Sequence, residues 1–84
     1  MNPQDWIALA SIVTAGLTMG LGSIGPALGE GRAVAAALEA MSRQPDAANT
    51  ITRTLFVGVA MVESTAIYCL VIALILLFAN PLMP

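Results

Sequence analysis

The sequence predicts an all-α membrane protein, a two-helix transmembrane hairpin that assembles with copies of itself into a closed ring. Three features carry that reading: two long apolar stretches, a single helix breaker between them, and a run of glycines laid out in stripes. Hydrophobic residues make up 58% of the 84-residue chain and charged ones only 10%, a balance outside that of soluble domains. A chain this short buries little core in water, so the solvent for its apolar surface is lipid. The net charge of -2 and the absence of histidine argue against a nucleic-acid partner, which would require a basic patch. The lone Cys69 cannot form an internal disulfide and reads as a small packing residue.

Helix 1 is expected over 5–41. Its stretch from Trp6 to Gly29 carries no charge, and at about 1.5 Å per residue it is long enough to cross a hydrocarbon core of about 30 Å. The N-terminal "MNPQDW" has no basic segment and the apolar run outlasts that of a signal peptide, so a cleaved leader is not expected. The alanine-rich "GRAVAAALEAM" continues the helix past the membrane surface. The loop, 42–46, is "SRQPD", where proline stops the hydrogen-bond ladder. Helix 2, expected over 47–79, has Glu63 as the one charge between Thr54 and Ala79. Asn80-Pro81 ends it and leaves a C-terminal tail, 80–84. Arg32, Arg43 and Arg53 all lie on the connecting side. The positive-inside bias therefore puts the loop in the cytoplasm and both termini outside.

Six of the seven glycines fall between Gly16 and Gly31. Steps of three and four trace one small-residue stripe through Gly16, Gly20, Ser23, Ala27 and Gly31, and a second through Gly22, Gly25, Gly29 and Ala33. Leu17, Leu21, Ile24 and Leu28 run between them. Small residues let a neighbouring backbone approach closely, so that dispersion contacts replace the hydrophobic drive that lipid does not supply. Two such faces imply two neighbours, and a hairpin flanked on both sides by copies closes into a ring with helix 1 on the inner, tighter circle. The competing explanation is that glycine is simply commoner in membrane helices. Pro26 removes one backbone bond in the same stretch and is expected to allow a bend.

Glu63 falls near the middle of the second span. An acidic residue at a helix centre in lipid costs about 2.5 to 3.5 kcal/mol, and a lone ion there takes up a proton instead of remaining charged. Such residues are functional by default. Ser64 lies about 100° round the helix from Glu63, and Tyr68 falls on Ser64's stripe. The three present a carboxyl and two hydroxyls, groups able to donate to an ionised acid or to coordinate a small cation. Glu30 stands at a similar depth once the hairpin closes. Two carboxylates facing each other in low dielectric cannot both be ionised at modest cost, so a proton, or a proton and a cation, is held between them. The alternative is that Glu30 faces the ring lumen or reaches the interface near Arg32.

Taken together, "ASIVTAGLTMGLGSIGPALGEG", the "RQP" of Arg43, Gln44 and Pro45, the intramembrane Glu63 and the ending "LVIALILLFANP" resemble the c subunit, or proteolipid, of rotary F-type ATP synthases. The resemblance covers nearly the whole chain. It implies a ring of identical subunits in membrane lipid that turns against a stator subunit of the a type, with the loop of Arg43, Gln44 and Pro45 gripping central stalk subunits of the gamma and epsilon type. It further implies that Glu63 carries one ion in each copy, with Glu30 where sodium-type relatives often have glutamine, and with Ser64 and Tyr68 matching the partners of the sodium motif. Protons are the expected ion and sodium the alternative. The pairing of Glu30 with Glu63 resembles the N-type branch of these ATPases. Thr18 and Ile24, at positions where many relatives have glycine, point to a ring toward the large end of the family range. The implied location is a bacterial inner membrane.

The chain has no phosphate-binding loop and no catalytic constellation, so it is expected to be a non-catalytic part of an enzyme, with no cofactor and no resident metal. A small two-span pore former of the holin kind would also be short, apolar and self-associating. It would need neither a mid-membrane acid with hydroxyl partners nor a loop placed to hold a soluble stalk.

Overall fold

The computed structural model describes residues 1–83, so the last residue of the tail expected over 80–84 lies outside the described residues. The chain is an antiparallel hairpin of three α-helical segments: α1 is Pro3–Gly22, α2 is Ile24–Arg43 and α3 is Ala48–Phe78. Helix α1 starts at Pro3, ahead of the expected position 5, because proline's fixed φ and missing N–H suit the first turn and Asn2 caps it. The Asn2 side chain accepts from the Asp5 N–H at 2.9 Å and the Asp5 carboxylate accepts from the Asn2 N–H at 3.3 Å, satisfying two orphan donors reciprocally.

The helix expected over 5–41 is divided at Ser23, which separates α1 from α2. The cause lies three residues on. Pro26 has no N–H to offer the Gly22 carbonyl, and its ring crowds that carbonyl. Ser23 itself stays tied to the preceding turn, its hydroxyl donating to the Met19 carbonyl at 2.6 Å and its N–H to the same carbonyl at 3.1 Å. At the other end the expected loop 42–46 is shorter than anticipated. Ser42 and Arg43 are still helical, Gln44 alone leaves the helix, and Pro45–Ala47 form a 3-10 turn leading directly into α3. Proline at the first position of that turn explains the economy, since it starts a helix as readily as it ends one.

The molecule measures 64 × 16 × 10 Å. Its long axis is about twice a hydrocarbon core of roughly 30 Å, so the hairpin projects beyond the membrane. Both arms are long and apolar enough to cross it. The only buried side chains among the described residues are Ser11, Ala15, Ala37 and Ala73. A surface of 6117 Å² exceeds the roughly 4,700 Å² of a compact monomer of this mass. The described residues form no core to hold the hairpin in water, and most of their large apolar side chains point outward.

What joins the arms is a narrow seam. On α3 the sheltered positions are Ala48, Ile51, Leu55, Val59, Val62, Ala66, Cys69, Ala73 and Leu76, in steps of three and four. That mean period of about 3.5 is the spacing of helices wound together in a left-handed sense. Gly22 meets Cys69 and Gly29 meets Val62 across the seam. Near the termini the Asn80 side-chain amide donates to the Ser11 hydroxyl at 2.5 Å, which fixes the register where α3 ends.

Gly22 gives the seam a direct test. A Cβ there would collide with the Cys69 sulfur and stand 3.4 Å from its Cβ. Helix propensity favours alanine over glycine by about 1 kcal/mol, whereas overpacking costs about 1 to 3 kcal/mol. Gly22→Ala is therefore expected to lower the temperature at which the purified assembly melts, and Cys69→Ala in the same chain to restore it or raise it above the parent. Equal melting of the parent and Gly22→Ala would show that the two residues do not meet.

Candidate ion-carrying site

The site is built where the seam passes the two acids. Glu30 is half-buried on α2 and Glu63 lies on α3 one residue beyond the sheltered Val62. The antiparallel register that pairs Gly29 with Val62 brings the carboxyls of Glu30 and Glu63 within hydrogen-bonding reach of each other. Glu30 Oε1 is buried and has no hydrogen-bond partner among the described residues. A bare pair of carboxylates in this position would be two acceptors with nothing to accept from. One proton between them makes one acid a donor to the other, a charge-assisted bond of the strong kind.

Ser64 and Tyr68 stand apart from that pair. They line one open groove together with Ile67 and Val71, and Tyr68 is 72% exposed. The Ser64 hydroxyl donates to the Ala60 carbonyl one turn back, at 3.1 Å. Rotation along the helix explains the separation, because five residues at about 100° each leave Tyr68 roughly 140° away from Glu63. The structure thus joins Glu30 to Glu63 and Ser64 to Tyr68, and within one hairpin it does not join the two pairs.

Arg43, Gln44 and Pro45 occupy the tip of the hairpin, at the turn. Arg43 closes α2 and pairs with Glu39 one turn back at 2.6 Å, both side chains being largely exposed. An exposed pair of this kind contributes little stability, so it holds Arg43 only loosely. The Gln44 N–H completes the last turn of α2 by donating to the Ala40 carbonyl at 2.9 Å, and Pro45 opens the 3-10 turn.

The glycines divide between two tasks. Gly22 and Gly29 face α3 of their own hairpin, while Gly16, Gly20, Gly25 and Gly31 have nothing within 4 Å of where a Cβ would stand. The second stripe is therefore partly used inside the hairpin, because Gly22 and Gly29 turn toward α3 as the two arms pack. Sequence reasoning missed the bond from Asn80 to Ser11. The signal for it was a lone serine among apolar residues, level with an asparagine at the end of the other arm.

Residues 13–76 match the family of the ATP synthase c subunit. Over 81 residues, 96% of each chain, the sequence is 67% identical to the ATP synthase c subunit numbered 2 of Cereibacter sphaeroides strain ATCC 17029 / ATH 2.4.9. Over 72 residues it is 54% identical to the ATP synthase c subunit of Synechococcus sp. strain JA-2-3B'a(2-13). It is 56% identical over 72 residues to the ATP synthase c subunit of Prochlorococcus marinus strain AS9601. Each of these two alignments covers 86% of this chain and 89% of the relative. With matched residues running through both arms and the turn of a coreless apolar hairpin, the chain belongs to the ATP synthase c-subunit family, as a non-catalytic membrane rotor protein that stands in a ring of identical copies.

Proposed function

We propose that each hairpin carries one proton on Glu63, shared with Glu30, and that loading and unloading of this proton couples ion flow to rotation of the ring. The observation that supports the reading is the meeting of the two carboxyls with Glu30 Oε1 buried and otherwise unpartnered. In lipid the pair holds its proton, since an uncompensated ion there is costly. At the stator, a positively charged residue of the a-type subunit stabilises the carboxylate left when the proton departs. The ring advances as one site releases its proton and another takes one up. Each elementary charge crossing 100 mV contributes about 2.3 kcal/mol, so several protons are coupled to each nucleotide through the stalk.

In this reading Arg43, Gln44 and Pro45 face the gamma- and epsilon-type stalk subunits from the cytoplasmic side. Both termini lie outside a bacterial inner membrane, following the placement of Arg32, Arg43 and Arg53. The acid pair supports assignment to the N-type branch. Sodium is the rival ion, since Ser64 and Tyr68 are the hydroxyls a sodium site would use. Within one hairpin they line a groove of their own, and the preference for the proton rests on the carboxyl pair, which raises proton affinity.

Carbodiimide labelling of Glu63 in the purified ring tests the choice, because the reagent attacks the protonated carboxyl. Labelling is expected to fall as pH rises and to follow the same curve with or without millimolar sodium. Strong protection by sodium at neutral pH would make sodium the cargo and leave the rotor assignment standing.

A further inference from the structure

We propose that neighbouring copies lock together through a knob and a groove, Phe56 of one hairpin seating in the groove formed by Ala33, Ala37, Thr50, Thr54 and Gly58 of the next. The groove is an open, apolar hollow of about 370 Å³ between α2 and α3. Small residues and the seam's Ile51, Leu55 and Val59 line it, and a Cβ on Gly58 would meet nothing within 4 Å. The Thr54 hydroxyl is occupied with the Thr50 carbonyl at 3.0 Å, which leaves its methyl group to the groove.

Phe56 projects from the other flank. It is 73% exposed and stands with Val34, Leu55 and Val59. On a helix turning about 100° per residue, Phe56 and Gly58 lie roughly 160° apart. Knob and groove therefore occupy opposite sides of one hairpin. A closed ring of identical copies brings the left flank of each against the right flank of the next, a heterologous contact. Rotation about an axis running along the hairpin changes no residue's height, so a knob can enter only a groove at its own level. Phe56 lies between Thr54 and Gly58 in the chain, and it meets that condition.

The occupant is a second copy because the family places identical copies on both flanks. Glu63 is two turns beyond Phe56 and on the same flank, so the contact presses the flank bearing the acid against its neighbour. The inference holds for either ion.

Cross-linking in assembled rings tests it, in a Cys69→Ala background. Rings carrying both Phe56→Cys and Gly58→Cys, treated with a short thiol cross-linker in native membranes, are expected to give a ladder of dimers, trimers and higher species up to the full ring. Phe56→Cys alone is expected to give none, since a heterologous contact never brings Phe56 to Phe56. Absence of the ladder in assembled double-thiol rings, or dimers from Phe56→Cys alone, would overturn the proposal. If the double-thiol variant does not assemble, a ring carrying Trp6→Phe and Phe56→Trp in vesicles of brominated phosphatidylcholine decides the matter. Fluorescence protected from quenching supports a neighbour at the knob; strong quenching shows lipid there and sinks the idea.

Discussion

Glu63→Gln is expected to give rings of normal yield and size in which ATP synthesis and ATP-driven pumping fall by at least about 100-fold, the scale of loss when a proton-transferring group is removed. The amide keeps the volume of the side chain and can donate to Glu30, so the seam beside Val62 is undisturbed. It cannot release a proton at the stator, and a site that never becomes charged gives the stator's positive residue nothing to attract. Glu30→Gln is the informative comparison. Its amide oxygen still accepts from a protonated Glu63, and the change removes one hydrogen-bond arrangement worth about 0.5 to 1.5 kcal/mol, so coupling should fall by no more than about tenfold. Both quantities are read from proton uptake and ATP synthesis in inverted vesicles. Pumping at parental rates by Glu63→Gln would remove Glu63 from the carrier role.

Much of this arrangement was legible in the sequence, and the parts that were not share a physical cause. Charge-free length announced two membrane arms, and "SRQPD" announced the turn, because both depend on properties of consecutive residues. The similar depth of Glu30 and Glu63 was legible as well, since an antiparallel hairpin with a short turn fixes depth by counting. Which face each side chain takes was harder. The sequence reading grouped Glu63, Ser64 and Tyr68, while within one hairpin the seam takes the side of α3 marked by Val62, Ala66 and Cys69 and the two hydroxyls line a groove of their own. Thr18 shows the same effect. It is half-buried on α1, whereas Ile24 is 51% exposed, so of the two residues invoked for a wide ring only Ile24 stands mostly clear of the hairpin. The division at Ser23 needed knowledge of which carbonyl Pro26 deprives, and the closure by Asn80 and Ser11 needed the register itself. Each of these facts belongs to the pairing of the arms, which residue type alone does not encode.

That distinction makes Gly20→Leu the sharpest test of the ring contacts. No atom lies within 4 Å of a Cβ at Gly20, so the hairpin by itself does not oppose a side chain there, and the gain in helix propensity of up to about 1 kcal/mol favours it. Inserted hairpins should therefore accumulate at normal levels. A neighbouring copy packed against the glycine is another matter. Overpacking costs about 1 to 3 kcal/mol, and a ring repeats the cost at every contact between copies. Since each 1.4 kcal/mol is a factor of about ten in an equilibrium, the sum is more than the assembly can absorb without changing its geometry. Gly20→Leu is expected to abolish the detergent-resistant ring or to yield one with a different number of copies, as read by gel migration and by counting copies in images of reconstituted rings. Leucine at Gly31, on the same stripe and equally open in the hairpin, should act the same way. Normal yield, size and melting in both variants would mean that lipid covers this stripe, and the copies must then meet along other residues.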